Sequence, residues 1–470
     1  MTSVGAPAFR SRLLPHTLRH GSQISFYRDH WKVRDDALPD RIDQVPSVSK
    51  AEHGADLEKM RHPGLRTALL THTSGTTGRP FRRVRSGEEL AAYREYIVAL
   101  MDKRARTTAV RPLLAFNAVP RSIHGGALER PGVSQQIAID TFSKRGLAAA
   151  IDVLADVSLF AGEDGRRPRR AVVGSPGMLT ALTAAVTARG LDPATLAMDE
   201  INSVSDVLTA ATRGYLTGNW PGTAVRNTFS CSETIGGARQ CENCAGFFFE
   251  PTLVAEILDL DGDESAAGIG ELTLTELYPF SQLQPMLRYR TGDVVVRQEC
   301  GSRPGEICFG YLGRRQACPT TRTDGRSRVL VGAVELREIL EDEPGVARET
   351  LVGVTDPVVG DMPLGPPRAQ WTLHGGDTGT GTGIGTGTIT GTAAQPRLRV
   401  RVQTSFSPGL FPAEAGALHR RLTDRLTRRV ETAPGPQVAV EVSLTDGGID
   451  GLDVRPLSAA IPAPGAEGAA

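Results

Sequence analysis

Short apolar runs alternate with stretches of helical periodicity through the first half of the chain, and this alternation most limits the folds open to it. Residues 67–71 and 112–117 read as strands, and 171–174 as another. Between them, 88–103 carries Leu90, Tyr93, Tyr96, Ile97 and Leu100 at helical spacing, and 147–154 reads as a second helix. Ser175 is placed to cap a third, over 177–188. Residues 1–60 look polar and helical, packed through Leu13, Leu14, Leu18, Phe26 and Tyr27. Such an order predicts an α/β body, a sheet covered by helices.

From about residue 227 the texture turns towards β structure, with strands expected at 253–258 and 271–275. A chain of 470 residues exceeds what one core usually serves, since single cores stop growing near ~250–300 residues. A small second unit fits beyond 313: a helix at 333–341, an alternating strand at Leu398, Val400 and Val402, a helix with Leu418, Leu422, Leu426 and Val430 in register, and an alternating strand at Val438, Val440 and Val442. The expected class is therefore α/β (mixed α+β), divided as 1–312, 313–458 and a disordered tail 459–470. The Gly/Thr repeat at 375–392 has almost no side-chain volume to bury and is expected to be a flexible insertion.

Acidic and basic residues balance at 53 each, so no global field favours nucleic acid or a membrane surface. No apolar run approaches the roughly 20 residues that cross a bilayer, and the N-terminus lacks a signal-peptide core; the expected location is cytoplasmic. The six cysteines, Cys231, Cys241, Cys244, Cys300, Cys308 and Cys318, then read as thiols or metal ligands. Of the 53 cations only Lys32, Lys50, Lys59, Lys103 and Lys144 are lysines, and none lies beyond 144.

Three motifs carry candidate chemistry. In Thr73-Ser74-Gly75-Thr76-Thr77-Gly78-Arg79-Pro80, glycines let the backbone fold around a polyanion while hydroxyls and Arg79 face its charge. Phe229-Ser230-Cys231-Ser232-Glu233-Thr234 offers a carboxylate for a magnesium ion. Leu287-Arg288-Tyr289-Arg290-Thr291-Gly292-Asp293 sets Asp293 on a glycine turn, suited to the hydroxyls of a ribose. Each alone is equally a flexible turn, a surface glutamate or a turn aspartate.

Together and in this order they resemble the acyl-adenylate-forming superfamily, whose signatures are Ser-Ser-Gly-Thr-Thr-Gly-Lys-Pro and Tyr-Gly-x-Ser-Glu. Gly270-Glu271-Leu272, Tyr278-Pro279, Phe249-Glu250-Pro251 and Glu256-Ile257-Leu258-Asp259 look most like its phenylacetate–coenzyme A ligase branch, and Leu312-Gly313-Arg314 resembles its hinge. The resemblance runs from about Leu13 to Leu340. It implies a large N-terminal domain with a small mobile C-terminal one. A carboxylic acid would attack ATP to give an acyl-AMP and pyrophosphate, and a thiol, commonly coenzyme A, would then displace AMP. By that resemblance Thr73–Gly78 and Arg79 hold phosphates, Glu233 binds Mg²⁺, Phe229 lies against the adenine beside Ser232, Asp293 holds the ribose, and Arg314 contacts the nucleotide. The acid pocket would involve Phe116, His124, Gly125 and Gly174.

Two departures stand out. The loop cation is Arg79 where lysine is usual, and the C-terminal stretch 446–456, where the family keeps its adenylating lysine, has none; Arg455 is the nearest substitute. The outcomes left open are a carboxylate-activating ligase, an adenylate used for amide or nitrogen–nitrogen bond formation in a secondary-metabolite pathway, and a nucleotide-binding protein without turnover. Cys241-Glu242-Asn243-Cys244 with Cys300 and Cys308 fits a structural Zn²⁺ site, the alternative being unconnected thiols. The expected partner is a small-molecule carboxylic acid, with no nucleic acid or membrane; a homodimer is one option for its assembly.

Overall fold

The computed structural model describes residues 6–32, 39–72, 81–107, 113–118, 133–139, 144–156, 168–266, 268–323, 326–348, 365–374, 396–431 and 437–449. The loop 73–80, His124, Gly125, the Gly/Thr insertion, Arg455 and the tail lie outside them.

Three N-terminal helices, α1 (Ala6–Gly21), α2 (Ser25–Trp31) and α3 (Lys50–Ala55), precede a hairpin of β1 (Thr67–His72) and β2 (Arg82–Ser86). Helix α3 begins in a reciprocal cap: Glu52 N donates to Ser49 Oγ, and Ser49 N to Glu52 Oε2. The residue before the cap, Val48, pairs its backbone with Arg288 and Arg290. Helix α4 (Gly87–Thr107) follows the hairpin.

The next strands form one sheet in which sequence order and spatial order largely agree. Strands β3 (Leu113–Ala118), β4 (Val133–Ile139), β5 (Arg169–Gly174), β6 (Glu200–Ser203) and β7 (Ala224–Phe229) are parallel. Between them run α5 (Lys144–Ala155), α6 (Pro176–Ala188) and α7 (Ala210–Asn219). Ser175 caps α6 as expected, its Oγ accepting from Met178 N. Their apolar faces bury Leu114, Phe116, Leu147, Ile151, Leu182, Val186 and Trp220 in one core.

From β7 the sheet continues antiparallel through β8 (Ala238–Gln240), β9 (Phe247–Phe249), β10 (Leu253–Leu258), β11 (Ile269–Glu276), β12 (Tyr289–Gln298) and β13 (Cys308–Arg314). The eleven strands lie in the order β10-β11-β12-β13-β9-β8-β7-β6-β5-β3-β4. The body is thus α/β on one side and antiparallel on the other.

A short hairpin, β14 (Thr320–Thr323) and β15 (Arg326–Val329), leads to α8 (Ala333–Glu341). Strands β16 (Ala369–His374), β17 (Arg397–Gln403) and β18 (Ala439–Thr445) make a separate three-stranded sheet, with α9 (Pro412–Glu431) crossing between β17 and its parallel neighbour β18. Leu398, Val400 and Val402 face Leu418, Leu422, Leu426 and Val430 in a second core that also takes Leu336 and Leu340 of α8. Position 312, the boundary expected from sequence, lies within β13. Among the described residues no helix is long and apolar enough to cross a membrane.

Candidate active site

Ligands of open parallel sheets meet the carboxyl ends of the strands. Here Ala118, Gly174 and Ser203 stand in register at that edge, and β7 leaves it through Phe229 into the turn that carries Glu233. Gly174 is therefore at the edge where the pocket is expected. Phe116 is not. It is 0% exposed on the core face of β3, with the Arg170 guanidinium 5.3 Å from its ring centre. The strand's alternation turns the neighbouring Asn117 to the other face. Phe116, expected in the acid pocket, packs in this core.

Glu233 is buried in the turn after β7. Its Oε1 accepts a hydrogen bond from Tyr289 Oη at 3.0 Å, and Lys50 Nζ stands 3.7 Å away. Among the described residues Oε2 has no such partner. One carboxylate oxygen held in place and one left for a cation is a reasonable donor arrangement for Mg²⁺, which takes few protein carboxylates and fills its shell with phosphate and water. Burial, then the neighbouring Glu233 charge, raises the Tyr289 phenol well above its ordinary range, so it remains a donor. Ser232 is half-buried in the same turn. Phe229 is buried among Phe247, Phe249, Phe309 and Tyr311, edge-on to Phe249 and Phe309.

Asp293 and Arg314 face each other across β12 and β13. Arg314 Nε lies 3.3 Å from Asp293 Oδ1, and its Nη1 donates to Thr291 O at 2.7 Å. Gly292, at φ +75°, makes the turn that lets Glu271 Oε1 accept its N–H. Burial opposes the charge of Arg314, yet Asp293, Tyr311 and Glu233 together hold it more firmly protonated than usual. Asp293 is almost wholly buried, and its Oδ1 has no hydrogen-bond partner of good geometry among the described residues. A carboxylate oxygen in that state retains acceptor capacity for a hydroxyl. The structure thus brings Glu233, Asp293 and Arg314 into one electrostatic neighbourhood, and adds Lys50 and Tyr289, which sequence reasoning did not single out. Lys50 carried one available signal, as one of five lysines in an arginine-rich chain.

The four expected metal-ligand cysteines converge at the far side of the antiparallel strands. Cys241 and Cys300 Sγ are 3.9 Å apart, and Cys244 and Cys308 Sγ 3.7 Å apart. A tetrahedral ion with Zn–S bonds of about 2.3 Å sets its sulfurs about 3.8 Å apart, a spacing that these two pairs match. Cys241, Cys244 and Cys300 lie mutually within 4.8 Å, and Cys308 falls outside that group. The knuckle is built by Cys241 N donating to Gly246 O and Ala245 N to Cys241 O; a Cβ on Gly246 would run into Cys308 Sγ. Burial acts to raise the Cys241 thiol, but N–H groups of Asn243 and Cys244 and the Ser302 hydroxyl outweigh it and bring it to about 7. Burial pushes Cys308 up to about 12. Cys231 and Cys318 are thiols raised by burial to about 12 and take no part in this cluster.

An eleven-stranded mixed sheet with a small α/β unit after it is a fold this chain shares with solved acyl-CoA ligases. A solved 2-hydroxyisobutyryl-CoA ligase, in an open conformation with 2-HIB-AMP and CoA, is similar with TM-score 0.63 and 15% identity, over 94% of this chain and 88% of that one. Its postadenylation state with 2-HIB-AMP gives 0.57 at 17% identity, over 95% and 88%. Its thioesterification state, with 2-HIB-AMP and CoA, gives 0.53 at 16%, over 96% and 88%. No protein-family model and no curated protein sequence matches the chain. Identity this low speaks to fold; activity has to be argued from the side chains.

Proposed function

We propose that the protein is an ATP-dependent, AMP-forming ligase of the phenylacetate–coenzyme A ligase-like branch, activating an aryl or small polar carboxylic acid as its acyl-adenylate. The observation that carries this reading is Glu233, buried at the carboxyl edge of the sheet between Tyr289 and Lys50, with Asp293 and Arg314 beside it. The acid's carboxylate attacks the α-phosphorus of ATP, the bond to the β-phosphate oxygen breaks, and pyrophosphate leaves. Displacement of AMP by a thiol, coenzyme A by analogy with the similar ligase that holds it, completes the cycle.

In this scheme the segment 73–80 supplies backbone N–H groups and hydroxyls to the β- and γ-phosphates. Glu233 would hold Mg²⁺, which when bound neutralises phosphate charge. Asp293 accepts from the ribose hydroxyls and Arg314 fixes Asp293 while lending positive charge nearby. Phe229, at the end of β7, would border the adenine. Charge building on the α-phosphoryl group needs a preorganised cation, and removing one such donor typically costs about 10²–10³ in rate. With no lysine in 446–456, Lys50, 3.7 Å from Glu233, would supply that ε-ammonium. The four cysteines would hold a structural Zn²⁺ away from the chemistry.

The test is pyrophosphate release by the full chain with ATP and magnesium, across a panel of aryl, hydroxy and other small acids, amines and nitrite. Release that requires an acid and magnesium supports the ligase. ATP binding without release under any condition contradicts it and favours a nucleotide-binding protein, the reading to which the missing C-terminal lysine points.

A further inference from the structure

Gln298, the last residue of β12, pairs directly with Cys308, the first of β13, so their side chains leave the same face of the sheet. The Gln298 amide is enclosed between two glycines. A Cβ on Gly246 would stand 2.5 Å from Gln298 Oε1, 2.2 Å from Cys308 Sγ and 3.5 Å from Cys244 Sγ. A Cβ on Gly310 would stand 2.7 Å from Gln298 Nε2. Oε1 therefore borders the same small space as two sulfurs of the cysteine cluster. It is buried, and it has no hydrogen-bond partner among the described residues.

Three of the four sulfurs have a donor from outside the cysteine side chains. Cys241 Sγ takes the N–H groups of Asn243 and Cys244, and Cys244 Sγ takes that of Gly246. The Ser302 hydroxyl lies 2.9 Å from Cys300 Sγ. Among the described residues the hydrogen-bond contact of Cys308 Sγ is with another sulfur, that of Cys244, at 3.7 Å. A metal-bound thiolate is an anion that only accepts, and an enclosed anion is costly unless a donor reaches it. A carbonyl oxygen beside it is a second acceptor and gives nothing. The two ends of an amide have the same shape, so a half-turn about its last bond puts Nε2 there without altering the packing.

We propose that Gln298 is a positioning residue of the cysteine cluster: with the thiolates on a metal ion, its amide turns and Nε2 donates to Cys308 Sγ. The amide is then the donor that the knuckle and Ser302 do not supply to the fourth sulfur, and it fixes the direction in which that sulfur faces the metal. This rests on the reading of the four cysteines as a metal site.

The test is titration of the full chain with Co²⁺ against a competing chelator. It compares the unmodified chain with Gln298→Glu, which keeps the shape and only accepts, and with Gln298→Met, which keeps the length and offers no donor. Both variants should bind Co²⁺ about 10–100-fold more weakly. The sulfur-to-cobalt charge-transfer band should also move to lower energy in Gln298→Met, because the lost N–H raises the energy of the sulfur lone pairs. Unchanged affinity in either variant overturns the proposal. So does weaker binding with an unmoved band, which leaves the amide a packing role alone. Should the variants not fold, a structure of the metal-loaded unmodified chain decides. The amide in hydrogen-bonding contact with Cys308 Sγ supports the proposal, and an amide turned away from that sulfur overturns it. An unmodified chain that takes up no cobalt removes the metal reading itself, and the role of Gln298 with it. That result is distinct from a chain that binds cobalt and is indifferent to Gln298.

Discussion

Cys241 and Cys300 stand 59 positions apart in the chain, yet their sulfurs are within 4 Å, because β12 and β13 pair as neighbours and return the chain to the Cys241 knuckle. Cys241, at about 7, gives up its proton readily, whereas burial keeps Cys308 protonated to about 12. A metal ion takes thiolates as its ligands and displaces their protons, so metal uptake should release protons. The purified chain is expected to carry about one zinc per molecule and to lose it in the Cys241→Ser, Cys244→Ser double variant. Elemental analysis that finds no metal in the unmodified chain contradicts this. The Cys-x-x-Cys pair was legible in the sequence because local spacing specifies it. The contact of Lys50 with Glu233 was not, since it depends on the long-range backbone pairing of Val48 with Arg288 and Arg290.

Helix α3 is a short element doing more than its length suggests. It sets Lys50 against Glu233 and buries His53 beneath β12 and the residues before it. His53 is 0% exposed, with Nε2 placed to donate to Pro285 O and Nδ1 to accept from Gln284 Nε2, an arrangement that requires the neutral ring. Burial, with Arg83 nearby, lowers it from 6.5 to about 3. Its unfolded form thus binds a proton that the folded form refuses between those values. The contribution to stability is complete above about 6.5 and is lost as pH falls towards 3, amounting to about 2 kcal/mol between pH 7 and pH 5. Chemical denaturation at the two pH values should show a steeper loss in the native chain than in a His53→Gln variant; equal slopes would contradict the buried neutral ring. Elements with strong periodicity, such as α4, α6, α8, α9 and β17, follow their sequence patterns. β8 and β9 do not announce themselves, because three-residue strands have no period to read and exist only by pairing with β7 and β13.

Across the whole molecule, two cores and two sheets were readable from the change of pattern along the chain, while the eleven-strand order depends on pairings no local pattern encodes. The division of labour between the two units is where this chain departs from the family it resembles. The lysine that the resembled family brings from its C-terminal unit is missing from 446–456, where Arg455 is the cation, and the large body holds Lys50 3.7 Å from Glu233. If the cation comes from the body, adenylation does not wait on the small unit to deliver it. The most direct test is acid-dependent exchange of labelled pyrophosphate into ATP by the unmodified chain, Lys50→Met and Arg455→Met. The account predicts exchange in the unmodified chain, a loss of about 10²–10³ in Lys50→Met, and little change in Arg455→Met. No acid-dependent exchange in the unmodified chain, or exchange in Lys50→Met that matches it, would contradict the account.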